Sequence, residues 1–206
     1  STYDLNFING VNEAVAALGL TEDQVIMKRN IPESNECYEA ALDMVDEGCN
    51  IIFANSFGHE SHVALVASEY PEIEFCHATG TKAHTEKIAN YHNAFASIYE
   101  GRYVAGIVAG MKTKTNKIGY VAAMGKDNSE VTGGINAFAM GVYSVNPDAK
   151  VLVKVTNSWY DPAEETNASK ALINEGCDVL AQHCDTPNPQ LEAEKAGVWG
   201  VGYNSD

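Results

Sequence analysis

Apolar residues recur along this chain with two alternating periods, and the alternation predicts an order of elements. "NFINGVNEAVAALGL" (6–20) carries Ile8, Val11, Val15 and Leu18 on one helical face. "DQVIMKR" (23–29) reads as a short strand. "ESNECYEAALDMVDEG" (33–48) reads as a helix with Ser34 as N-cap, a stripe through Tyr38, Leu42 and Val45, and Gly48 as its stop. "CNIIFAN" (49–55) is a strand, "HESHVALVASEYP" (59–71) a helix ended by Pro71, and "IEFCHAT" (73–79) a strand. A long helix follows over about 94–112, then the strand "NKIGYVAAM" (116–124) and a helix over about 129–144. The strand "AKVLVKV" (149–155) leads into a helix opened by Pro162, followed by "CDVLAQHC" (177–184), a helix near 188–196 and "GVWGVGYN" (197–204).

Helix and strand alternate throughout, and several strands are near-continuous apolar runs, as expected when both sheet faces are covered. That is the pattern of an α/β fold with parallel sheets and right-handed crossovers. The polar segment "MKTKTNK" (111–117) reads as a crossover between two lobes, 1–112 and 113–206, with three strands before it and four after.

Ligands on such sheets bind outside the carboxyl ends of the strands. The residues there are Asn55, Ser56, Phe57 and Gly58; His77, Thr79 and Gly80; the loop "GKDNSEVTGG" (125–134); Asn157, Ser158 and Trp159; His183 and Asp185; Asn204 and Asp206. They offer aromatic faces, amides and carboxylates, with Lys126 as the main cation. This set suits a neutral, flat, hydrogen-bonding ligand better than a phosphate.

Charge and motifs narrow the classes. With 28 acidic and 13 basic residues the net charge is −15, which repels nucleic acid and anionic lipid. The five cysteines are scattered singly without C-x-x-C, so they read as small core residues rather than a disulfide framework or zinc site. No G-x-G-x-x-G follows a strand, and "GKDNS" lacks the rest of a P-loop. "HESH" (59–62) falls one residue short of a zinc helix, leaving solvated or capping histidines. His183 and Cys184 are neighbours on a strand and point to opposite faces, so they do not form a nucleophile–base pair. No apolar run is long enough to span a membrane. No cofactor, metal or catalytic residue is expected. The chain opens without methionine and reads as cut at both ends.

Phe53, Phe75 and Tyr120 lie within strands and read as core, and core is favoured for Trp199 as well. Tyr3, Phe57, Phe95 and Trp159 lie at turns or helix starts, where surface packing and ligand contact both fit; several at one sheet edge favour a stacking site. A turn residue such as Trp159 should leave no deep cavity when truncated.

"IIFANSFG", "FCHATG", "YEGRYVAGIVAG", "TNKIGYVAA", "GGINAFAMGVYSVNPDAKV", "TNSWYDPAEE", "AQHCDTPNP" and "GYNSD" resemble, in order, the basic membrane protein (BMP) family of substrate-binding lipoproteins serving ABC importers, similar to purine nucleoside receptors. The resemblance runs from about Tyr3 to Asp206. It implies a type I periplasmic-binding-protein fold whose two α/β lobes close on a purine nucleoside, a base or another flat heterocycle. It matches Trp159 to a second-lobe aromatic and Tyr3 to a first-lobe one that sandwich the base. It places Asn55, Ser56 and Phe95 near the ligand, and Asp185, Asn204 and Asp206 against its polar groups. It further implies an ABC permease as partner, a monomer, and an extracytoplasmic location, lipid-anchored or periplasmic. An opening strand is expected ahead of Tyr3, which would leave the first lobe incomplete here. The chain departs from the family at "HCD" for "HTD", at Ser97 ahead of "IYE", and in the 125–134 loop, so the ligand within this class stays open. A nucleoside-processing enzyme using the same cleft is the rival reading.

Overall fold

The computed structural model describes residues 1–204. Helix α1 (Thr2–Leu18) is followed by α2 (Asn35–Asp46), β1 (Ile51–Ala54), α3 (Glu60–Glu69), β2 (Glu74–Ala78), α4 (Lys82–Thr85) and β3 (Tyr91–Ala94). Then come α5 (Ile98–Lys112), β4 (Lys117–Ala122), α6 (Ser129–Val145), β5 (Lys150–Val155), α7 (Pro162–Asn174), β6 (Val179–His183), α8 (Asn188–Ala196) and β7 (Trp199–Val201). By packing, the chain forms two compact units: Phe7–Ala96, and Ser1–Asn6 together with the chain from Ser97 onward.

The first unit holds a parallel sheet of order β1-β2-β3. Ser34 stands at the N-cap of α2, and Gly48, at φ +86°, turns the chain away beyond its end, as a left-handed C′ glycine does. Cys37 and Ala41 of α2 pack with Val63, Val66 and Ala67 of α3 over Ile52 and Phe75. The opposite face of β1 carries Ile51 and Phe53, and Phe53 is 69% exposed. The core assignment of Phe53 is therefore wrong. The two-residue period sends Ile52 toward α2 and α3 and its neighbours the other way.

The strand content differs from the expected one at two elements, one lost and one gained. Residues 25–29 are not a strand: Val25 is extended (φ −129°, ψ 115°), but the segment joins no ladder among the described residues. The third strand is instead β3, "YHNA", too short and polar to show a period. It is fixed by Asn90, whose buried side-chain amide donates to the carbonyls of Ala67, Tyr70 and Ile73.

The second unit holds a parallel sheet of order β5-β4-β6-β7 with helices on both faces. Its central strands β4 and β6 are buried on both sides, as their apolar runs require. One core joins Ile118 and Tyr120 to Ala109 of α5 and to Phe138 and Val142 of α6. The other joins Val121 and Leu180 to Leu172 of α7 and Ala193 of α8. Helices α5 and α6 approach so closely that a Cβ on Gly106 would lie 2.1 Å from the Phe138 carbonyl oxygen, and one on Gly141 2.0 Å from that of Tyr103. This contact is why α5 belongs with the second unit and the division falls at Ala96/Ser97, ahead of the Lys112 boundary read from the polar segment.

Trp199 is not core. It lies on edge strand β7, 55% exposed, with the Lys112 ammonium 4.4 Å above its ring.

Candidate ligand-binding site

The carboxyl ends of β5, β6 and β7 bring the sequence-selected residues of the second unit together. After β5 the chain turns through Asn157, whose φ of +57° an asparagine tolerates better than most residues. The Thr156 hydroxyl donates to the Ser158 carbonyl at 3.0 Å and to that of Ala122 at 3.3 Å, fixing the turn to β4. Asp161 then caps α7, its carboxylate accepting from the amides of Ala163 and Glu164, with Pro162 in the first turn where its missing N–H costs nothing. Trp159 is held between these fixed points. It is half-buried and rests on the edge of both cores, leaving part of the indole uncovered.

Behind Trp159 lies His183, the last residue of β6, with ring centroids 6.3 Å apart. The His183 ring meets the Tyr203 ring edge-on at 4.8 Å. His183 is 1% exposed, and its Nε2 lies 3.7 Å from Glu130 Oε1, too far for a good hydrogen bond. Burial pushes the imidazole pKa down; Glu130 opposes that and Arg102 reinforces it. His183 is therefore neutral. Cys184, next in sequence, points to the other core, and burial together with nearby Glu165 keeps it a thiol. The opposite orientation read from strand geometry holds.

Asp185 follows. Its amide donates to the Trp159 carbonyl at 2.8 Å, and the Asn204 amide donates to its Oδ1 at 3.2 Å. Burial raises the Asp185 carboxyl to about 6, while hydrogen bonds from Ser1 and Asn204 pull it down and Asp4 pushes it up. Asn204 is left-handed at φ +74°, and its carbonyl accepts from the Asn6 side chain at 2.7 Å. Tyr3 also packs in this unit. Burial is the main cause of its raised phenol pKa, reinforced by Glu130, Tyr203 and Asp185. Thus Tyr3, Trp159, His183, Asp185 and Asn204 form one cluster. Asp206 lies outside the described residues.

The first unit holds the other expected residues at its own strand ends. Ser56 donates to Glu33, which also accepts from the Gly58 amide at 2.8 Å, and the Ser56 carbonyl faces His77 Nε2 at 2.7 Å. Asn55 and Phe57 are half-buried in the same loop, and Phe95 is 47% exposed just after β3. His59 stands at the N-cap position of α3, the capping alternative of the expectation, and is buried rather than solvated, its Nε2 3.0 Å from the Ile31 carbonyl.

Three residues of the second-unit cluster were not singled out in the sequence: Arg102, Glu130 and Tyr203. Arg102 is 5% exposed on α5, and its guanidinium lies 3.9 Å from the Tyr203 ring centroid. The expectation that Lys126 is the main cation near the strand ends is corrected by this buried one. Arg102 is spoken for by a helix and Tyr203 reads as part of a strand, so neither carried a turn signal.

A sequence model of a family described as "ABC transporter substrate-binding protein PnrA-like" (Bmp) matches residues 2–206. An ABC transporter protein of Haloferax volcanii described as glucose-binding, TsgA13, is 45% identical over 76% of this chain and 38% of its own length. A purine-binding protein of Brucella abortus is 36% identical over 94% of this chain and 53% of its own length. The chain thus spans about half or less of these relatives. Among solved structures, an ABC transporter solute-binding protein of Conexibacter woesei superposes with a TM-score of 0.71 at 18% identity, covering 100% of this chain and 68% of that one. The likeness establishes the α/β fold of periplasmic binding proteins.

Proposed function

The chain belongs to the Bmp family of PnrA-like ABC transporter substrate-binding proteins, and from that premise we propose that it binds a purine nucleoside or nucleobase at the Trp159 cluster. One observation carries the reading. Trp159 is only half-buried at the end of β5, and its carbonyl accepts from the amide of Asp185, whose carboxylate accepts from the Asn204 side chain. A heterocycle covers an indole face, and base–aromatic stacking contributes about 1–3 kcal/mol. Asp185 and Asn204 supply the acceptor and donor that fix orientation. The sandwich partner of the resemblance is Tyr3, which belongs to the same unit. Purine is also what the relative matching the larger share of this chain is named for.

The TsgA13 description favours a second reading, a hexose. A sugar ring also stacks on indole, but it needs partners for several hydroxyls around its rim. The Asp185 carboxylate and the Asn204 side chain are bonded to each other, which leaves fewer groups for a sugar's hydroxyls and supports the purine.

The protein acts as a receptor rather than an enzyme. Cys184 is a buried thiol facing away from His183, so no nucleophile–base pair is aligned. In the whole protein the ligand passes to an ABC permease outside the cytoplasm, with a lipid anchor ahead of this chain and a monomeric receptor. Calorimetric titration of the full-length protein with adenosine, guanosine, hypoxanthine and D-glucose tests the proposal. Saturable binding of a purine, recovered unchanged, supports it. Binding of glucose alone, or release of free base from a nucleoside, refutes it.

A further inference from the structure

We propose that Arg102 is a positioning residue of the ligand site: its guanidinium, laid over the Tyr203 ring and tied to the Gln182 carbonyl, holds the Tyr203–Asn204 segment against His183 and Asp185. The inference rests on the purine-receptor reading for its ligand and on geometry for its mechanism. Arg102 Nη1 donates to the Gln182 carbonyl at 2.6 Å, on the strand that ends in His183. The guanidinium lies 3.9 Å from the Tyr203 centroid and 5.9 Å from that of Tyr120. Tyr203 meets His183, His183 meets Trp159, and Asn204 bonds Asp185. A continuous ladder therefore runs from α5 to the uncovered indole.

Simple packing does not account for this arrangement. A buried arginine ordinarily finds a carboxylate, yet Arg102 forms no ion pair among the described residues. Among the described residues its Nε and Nη2, the Tyr120 hydroxyl and both His183 ring nitrogens are buried without hydrogen-bond partners. Its charge is taken up by aromatic faces, an interaction that is strongest when desolvated. Lysine cannot replace it, because only a planar guanidinium stacks and reaches the carbonyl at once.

The cation also sets the charge of the ladder. His183 is faced by Glu130 from α6, Arg102 from α5, Tyr120 from β4 and Tyr203 beyond β7, with Tyr3 and Asp185 adjoining Tyr203. Arg102 opposes protonation of His183, while Glu130 favours it. Without Arg102, burial alone opposes the pull of Glu130 for a proton on the imidazole.

The test uses the full-length protein, with the His183 ring signal assigned by its loss in His183→Gln. Arg102→Met should raise the His183 titration midpoint and weaken purine binding by about tenfold or more. Arg102→Lys should keep the low midpoint and still lose affinity. Tyr203→Leu should weaken binding by a similar factor, and Arg102→Met with Tyr203→Leu should lose no more than either alone. If Arg102→Met does not fold, Arg102→Lys and Tyr203→Leu carry the test. Wild-type affinity in either of those two, or in Arg102→Met with an unmoved midpoint, overturns the proposal, as do fully additive losses in the double variant. A wild-type protein that binds none of the purines, with the midpoint shift intact, removes the purine reading and supports the clamp.

Discussion

The Asp185 amide donates to the Trp159 carbonyl at 2.8 Å, so the turn after β5 and the turn after β6 are one rigid piece. The backbones that carry an aromatic side chain and a carboxylate after two different strands are thereby tied together. Preorganisation of this kind lowers the ordering cost of binding.

Trp159→Ala should weaken purine binding about tenfold to a hundredfold, as expected from the loss of about 1–3 kcal/mol of stacking. It should also destabilise the fold by about 1–3 kcal/mol, below the range for a fully buried tryptophan. The indole touches both cores of its unit, so the expectation that a turn residue leaves no cavity does not hold. Trp159→Phe should keep most of the affinity and stability. Titration calorimetry and urea melts on the same variants separate the two effects.

Asp185 should impose a pH dependence on stability. Burial lifts its carboxyl from 3.8 to about 6. Between those values the folded protein holds a proton that the unfolded chain has released. Stability should therefore fall as pH rises through that window, by about 3 kcal/mol at most, and level off above it. Asp185→Asn should flatten this slope, measured as urea midpoints from pH 4 to 7 (roughly the window set by the linkage). If the ligand uses the carboxylate as acceptor, Asp185→Asn should weaken binding at pH 7.

Gly106→Ala and Gly141→Ala should each destabilise the second unit by roughly 1–3 kcal/mol or more, because the new methyl meets backbone carbonyls across α5 and α6. Gly133→Ala, on the same helix α6 with open space around its Cβ position, should be tolerated. Denaturant melts of the three variants check the contrast.

Much of this was legible in the sequence because parallel sheets announce themselves. Buried strands such as β4 and β6 are apolar runs, and start signals such as Ser34 and Pro162 mark where helices begin. Trp159, Asp185 and Asn204 were singled out because they follow strands of a parallel sheet, where ligands are expected to bind. Local pattern failed where a long-range contact decides. β3 exists because Asn90 and the β2 edge hold a polar tetrapeptide straight. Helix α5 joins the second unit because two glycines let it approach α6. Tyr3, matched by resemblance to a first-lobe aromatic, packs in the second unit with Asp185 and Tyr203. Arg102 sits mid-helix, and only the folded chain brings it over Tyr203.

The most direct test of the central claim is tryptophan emission in Trp199→Phe. Residues 1–206 hold two tryptophans, and in a protein of this stretch the variant leaves Trp159 as the tryptophan that reports, while changing a residue 55% exposed on an edge strand. Titration with guanosine or adenosine should change the emission saturably, with the same midpoint as the heat of binding, because the base stacks on that indole. Full binding heat with no change in Trp159 emission would contradict the account and place the ligand elsewhere.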